Sequence, residues 1–460
     1  MNQQTEILRS KSSAHDCILN EAIGLTPKVT GYLLPENIAE VRQGIKDGSM
    51  TAPVCPGLSK ADFAAPLSKL ERLASSVKDK SDRLSVYFCG AIGENALKYL
   101  LLQAMQERLE ETDVARRNEL AAVINDLNEK IYGSPDEEVY HSLVSDIKQL
   151  ELGGANDHGR RLYEELVQQL PSIEAEVSRF RPSQETIEWM NGVVNGLYGG
   201  LLRQVPERDE PFTPQEIAEV FENIIRQEFG EAADDWSVVV RPAGSIEVDR
   251  ITKTIVIPED RPPVSYQKLC ELVVHEIGVH MLRGVMGYEL NSPLAALGFA
   301  SYRDLEEGTG KVAEQALGKQ YQEAGIAYYL IASMMRFDQK NSHEVYEALW
   351  RYHALKKDVK VTDESITKAQ DLAARQVARM TQGTGDIPLM MDLAYFNGAY
   401  NAWKYFEENR GDDTAVALFF MGRGDPTDPG QRAVMMEFYN PQDVRQVVEE
   451  DFTWANKKEQ

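Results

Sequence analysis

Two histidines and a glutamate in an apolar setting are the residues of this chain best placed to do chemistry. In Glu271–His280 (ELVVHEIGVH), His275 is followed at once by Glu276, and His280 lies five residues on. Leu272 to Val274 lead in, and Val279, Met281 and Leu282 surround the second histidine. That reads as a buried helix carrying costly polar groups, which are rarely buried without a partner. A metal ion would partner His, Glu and His together. In the zinc-protease pattern H-E-x-x-H the histidines are four apart and share one helical face. Here they are five apart. At about 100° per residue, that leaves roughly 140° between the side chains, too divergent for one ion. A single π-type turn would realign them, and Gly278 between them tolerates the distortion. Metal binding therefore predicts a bulged helix. The alternative is a regular buried helix whose histidines are satisfied by hydrogen bonds, for example between Glu271 and His275 at i,i+4.

A catalytic zinc takes three protein ligands and keeps one position open for water. His275 and His280 supply two. The third is sought in Glu306-Glu307-Gly308. Adjacent helical side chains point about 100° apart, so one of the two glutamates faces the ion. Glu307, next to Gly308, is the candidate, and Glu306 is the alternative. Taken alone, the pair reads as a helix start favoured by the macrodipole. Glu276 then falls into the general-base role, activating a zinc-bound water and returning the proton to the leaving amine. Tyr395 is the candidate second electrophile for the oxyanion. An enzyme acting at a chain end also needs a cation for the substrate carboxylate. Arg250, Lys253 and Arg423 are the candidates.

The elements that must position these groups are legible in outline. Thr213-Pro214-Gln215-Glu216 is a capping box with proline at the first helical position, and an amphipathic helix follows to about Phe229. Two β-type runs come next, 236–241 (WSVVVR) and 246–257 (IEVDRITKTIVI), the second with a hairpin at 249–253. The strand 251–257 precedes the histidine helix and is expected to be an edge that holds an extended peptide by backbone pairing. Helices are expected from Asp304 to about Gly318, then over 320–335, 342–357, 364–382 and 392–409, with a charged helix after Pro441. Upstream, 94–130 reads as helix with breaks, 84–89 (LSVYFC) as strand or helix start, and 416–422 (VALFFMG) as strand or short helix. The glycines at 192, 196, 199 and 200 lack the strand and the Gly-Lys-Ser/Thr ending of a phosphate loop.

Composition narrows the classes. The 460 residues suffice for two or three domains. Forty-nine basic against 73 acidic residues, net −24, argue against nucleic acid and anionic membranes as partners. No run approaches the ~20 apolar residues of a membrane span, and the N-terminus has no apolar signal core. Cys17, Cys55, Cys89 and Cys270 are scattered, which excludes a CxxC zinc site and fits a reducing cytoplasm.

With these residues in place, the chain resembles the H-E-x-x-x-H peptidases. These are the microtubule-associated tyrosine carboxypeptidases and their bacterial relatives, the flavohaemoglobin-expression-modulating QEGLA-motif proteins. The resemblance rests on His275-Glu276-Ile277-Gly278-Val279-His280, Asn291-Ser292-Pro293-Leu294 and Glu306-Glu307-Gly308. It also rests on 131–135 (IYGSP), Asp392-Leu393-Ala394-Tyr395 with Gly398, and 419–423 (FFMGR). It spans about 130–425. It implies a zinc-dependent peptidase of gluzincin-like fold, with His275, His280 and Glu307 as ligands and Glu276 catalytic. The eukaryotic members remove a C-terminal tyrosine from α-tubulin, and the acidic balance here argues against that acidic tail. Thr309-Gly310 replaces the Leu-Ala of the QEGLA motif, which weakens the helix past the ligand.

The expected protein is α+β and mostly α. A helical N-terminal region, 1–204, precedes a zincin-like domain, 205–460, with a small mixed sheet and C-terminal helices. The expected function is that of a cytoplasmic zinc metallopeptidase, plausibly a carboxypeptidase acting on a peptide or protein C-terminus. The rival is a non-catalytic, regulatory zinc-binding module that keeps the fold.

Overall fold

The computed structural model describes residues 18–438 except 19, 20, 23, 50, 78–82, 174–178, 243–244, 250, 290–297 and 421. The protein is mostly helical with one small mixed sheet. The capping box at Thr213 forms as its sequence predicts. The hydroxyl accepts from the Glu216 N–H, and the Glu216 carboxylate accepts from the Thr213 N–H, starting the helix Pro214–Phe229. Three strands follow: β1 (Ser237–Arg241), β2 (Glu247–Asp249) and β3 (Thr254–Pro258).

β2 and β3 form the expected hairpin, with Asp249 opposite Thr254. The order β1-β3-β2 was not expected. β3 runs parallel to β1 on one side and antiparallel to β2 on the other. It is therefore the central strand, not an edge, and its backbone is already paired on both sides. Its residues Ile255, Val256 and Ile257 are buried to match, as a two-sided central strand requires. Among the described residues, β1 and β2 are the outer strands.

The remaining helices follow the sequence pattern closely: Arg303–Leu317, Ile326–Arg336, Ser342–Lys357, Asp363–Met380 and Leu393–Glu408. The run 84–89 is the first part of a helix, Arg83–Glu110, and a second helix, Val114–Tyr132, starts after it at the Asp113 cap. The stretch 416–420 is helical, within Asp413–Phe420. The helix expected after Pro441 lies outside the described residues.

The buried apolar residues form two clusters that do not follow chain order. One joins 22–170 to 327–396. The other joins 187–316 to 402–435, with Phe88 reaching into it. Among the described residues no helix is long and apolar enough to cross a membrane.

Candidate metal centre

The histidine helix is built in three pieces. Ser265 caps its start, accepting from the Lys268 N–H, and an α-helix runs over Tyr266–Leu272. From Val273 to Met281 the backbone is a π-helix, and Leu282–Glu289 returns to α. The wider turn is what a five-residue spacing needs to put both imidazoles on one side. They do meet, with ring centroids 4.7 Å apart and planes at 74°. Gly278 serves twice. It sits inside the bulge, and a Cβ there would lie 2.9 Å from Tyr198 Cε1, so only glycine lets the bulge press against that ring.

The third group comes from the helix Arg303–Leu317, which packs directly on the bulge. Glu307 Oε2 lies 3.8 Å from His275 Nε2 and 3.8 Å from His280 Nε2. One donor atom from each of His275, His280 and Glu307 lies within 4.8 Å of the others, and the set could hold a metal ion. Zinc bonds of about 2.0–2.2 Å place neighbouring ligand atoms about 3.3–3.5 Å apart. Closing the two histidine–Glu307 separations to that value takes shifts of a few tenths of an ångström. The donors fit the group chemically, since two neutral imidazoles and a carboxylate are an ordinary set for a catalytic zinc. Glu307, not Glu306, is the glutamate that approaches the Nε2 atoms of both histidines.

Each imidazole is backed by a second carboxylate on its other nitrogen. His280 Nδ1 is 3.0 Å from Glu306 Oε1. His275 Nδ1 is 2.5 Å from Glu314 Oε1, an ion-pair contact that is off the line of a ring N–H bond. Such carboxylates fix which nitrogen faces the ion and raise its basicity. Glu306 is itself gripped by Arg283 at 2.6 Å and Arg423 at 3.3 Å. Arg283 is fully buried and also donates to the carbonyls of Gly422 and Gly424. Arg423 also donates to the His280 carbonyl. Glu314 is paired with Lys311 and Lys268.

Two close approaches hold the arrangement. A Cβ on Gly308 would fall 2.1 Å from the Gly398 carbonyl carbon, and one on Gly398 would fall 1.7 Å from the Asp304 oxygen. The helices Arg303–Leu317 and Leu393–Glu408 thus cross backbone against backbone. Gly310 faces the metal group. A Cβ there would lie 2.6 Å from His275 Cε1, so the imidazole rests against the bare backbone of this glycine. The helix runs unbroken through it, although glycine costs about 1 kcal/mol against alanine.

The electrostatics follow from burial and crowding. Glu276, 8 % exposed, has its carboxyl pushed up, chiefly by desolvation, with both histidines opposing. Burial works against the charged form of His275, but Glu314 and Glu307 outweigh it and raise the imidazole to about 10. Glu307 is held down at about 2 against its burial, through its bond to His275, the charges of both histidines and then Arg303. Glu306 and Glu314 are likewise held well below the usual carboxylate range, by the arginines and by His275 respectively, although burial opposes both.

The other expected site residues are placed as follows. Tyr395 lies on Leu393–Glu408, one turn before Gly398, close enough that the Glu307 charge is the main force raising its phenol. Lys311 sits 6.0 Å over its ring. Lys253 occupies the turn between β2 and β3, with a left-handed φ of 50°, and its ammonium pairs with Asp235. Arg250 and the Asn291–Leu294 stretch lie outside the described residues. Arg423 is 3 % exposed and supports the His280–Glu306 pair. Reading the sequence for ligands overlooked Glu314, although it follows Glu307 by seven residues and so shares its helical face. Arg283 was overlooked as well. Compared with family models, with curated proteins and with solved structures, the chain matches none.

Proposed function

We propose that the protein is a zinc-dependent metallopeptidase of zincin-like fold, acting as a carboxypeptidase. The observation that carries this reading is the convergence of His275 Nε2 and His280 Nε2 on Glu307 Oε2, with Glu276 next to His275 on the same bulged segment. The sequence resemblance to the H-E-x-x-x-H peptidases, carried by His275-Glu276 to His280 and Glu306-Glu307-Gly308, also supports it. A zinc ion bound here would supply Lewis-acid polarisation of the scissile carbonyl.

The chain's own residues supply the rest. Glu276, its pKa raised by burial, takes a proton from the attacking water and returns it to the departing amine. Glu306 and Glu314 hold the two imidazoles in one orientation. Tyr395, kept protonated beside Glu307, is available as an O–H donor to the oxygen that gains charge.

One observation favours a regulatory metal-binding module instead: the group is deep, with His275 only 5 % exposed. A peptide-library digest by the zinc-loaded chain decides between them. Cleavage that Glu276→Gln abolishes supports the peptidase. No cleavage, or cleavage unchanged by Glu276→Gln, supports the module.

A further inference from the structure

The cations near the metal group are almost all committed. Arg283 and Arg423 grip Glu306, Lys268 and Lys311 hold Glu314, and Arg379 is bonded to Asp392 through two nitrogens. Arg303 differs. It is half-buried, and no described residue makes an ion pair or hydrogen bond with its guanidinium. It opens the helix that carries Glu307, four residues earlier and so on the same face. Residues at that spacing are neighbours on a helix and can pair. No such pair is made here, and Glu307 Oε2 is turned to the histidines. The guanidinium lies instead 6.0 Å from the ring centre of Tyr132, whose hydroxyl is buried without a hydrogen-bond partner. The groups whose charge Arg303 feels are Tyr132, Glu307, Tyr395 and Asp392, which puts it beside the candidate site.

From this arrangement we infer that Arg303 is the anchor for the free C-terminal carboxylate of a peptide substrate. The inference rests on the peptidase reading and names the substrate class for the same site. A planar guanidinium lying over an aromatic ring keeps its edge donors for a carboxylate, the bidentate partner it fits best. The spacing agrees. Four helical residues rise about 6 Å, and an extended peptide advances about 3.3–3.6 Å per residue. A carboxylate held on Arg303 sets one of the last two peptide bonds at the histidines. Removal of one or two C-terminal residues follows, not cleavage within a chain. The proposal thus puts a cation for the substrate end on the ligand helix itself.

The test separates binding from turnover. Zinc-loaded Glu276→Gln protein is immobilised and offered N-acetylated octapeptides with free carboxyl ends, mixed with the same peptides as C-terminal amides. Retention is read by mass spectrometry. The free acids should be retained about 10- to 100-fold better, as expected for a charge-assisted pair. Adding Arg303→Gln should erase the preference, and Arg303→Lys should keep part of it, with zinc content unchanged in both. Equal retention of acids and amides by the Glu276→Gln protein, or a preference that survives Arg303→Gln, overturns the proposal. The natural chain is then digested against both peptide sets. If it cleaves nothing while the Arg303-dependent preference stands, the peptidase reading falls and the carboxylate site remains. If it cleaves amides as well as acids, hydrolysis stands and this site falls.

Discussion

Glu314 determines how His275 is presented. Its carboxylate is the nearest charge to Nδ1 and leaves Nε2 to face Glu307. Removing such a supporting carboxylate typically costs 10- to 100-fold in metal affinity. Glu314→Gln is therefore expected to weaken zinc binding by about that factor in a chelator competition, with the fold intact. The same contacts set a pH dependence. Without metal, His275 holds its proton to about pH 10, against 6.5 unperturbed. A raised pKa means that the protonated ring stabilises the metal-free fold fully below about pH 6.5, and that this is lost as pH rises through about 10. Zinc must displace that proton, so its apparent affinity should rise about tenfold per pH unit from pH 7 to 9. Competition titrations at three pH values check the slope, and a flat line would contradict it. The candidate ligands His275 and His280 stand out because their spacing is unusual, whereas Glu314 is one acidic residue among 73. Arg283 is not legible in the sequence, and Arg423 reads there as a substrate cation instead, since the contacts that seat them beside Glu306 join residues about 140 apart in the chain.

At the scale of elements, the bulge and the glycine crossing carry the site. The five-residue spacing required a local π-turn, and Val273–Met281 has one. The crossing of Arg303–Leu317 with Leu393–Glu408 has no slack, because what a new Cβ would strike is backbone. Gly308→Ala should destabilise the protein by about 3 kcal/mol or more, at the upper end for overpacking, as read by urea unfolding. A cost below about 1 kcal/mol would mean that the helices do not meet as described. The helices were legible from periodicity and caps, because those signals are local. The place of β3 in the sheet was not, because strand order is set by pairings between distant residues. An alternating run looks the same at an edge as at the centre.

At the scale of the whole molecule, the site depends on chain from both sides of residue 205. Tyr198, on the helix Gln184–Arg203, supports the bulge at Gly278, and Leu197 and Leu201 join the same core. A fragment of residues 206–438 loses that support and bares the 327–396 surface that packs on the first core. It is expected to bind zinc at least tenfold more weakly than the full chain, or to aggregate, as read by chelator competition and size-exclusion chromatography. Full affinity in a monodisperse fragment would show that the upstream helix is dispensable. The net charge of −24 is not the balance at the site, where two arginines face Glu306 and two lysines face Glu314. The central claim is that His275, His280 and Glu307 hold one zinc ion, and metal content tests it most directly. Purified full-length protein should carry about one equivalent of zinc per chain, reduced to a small fraction by His275→Ala or Glu307→Gln. Substoichiometric zinc in the natural chain, or one equivalent that survives His275→Ala, would contradict it.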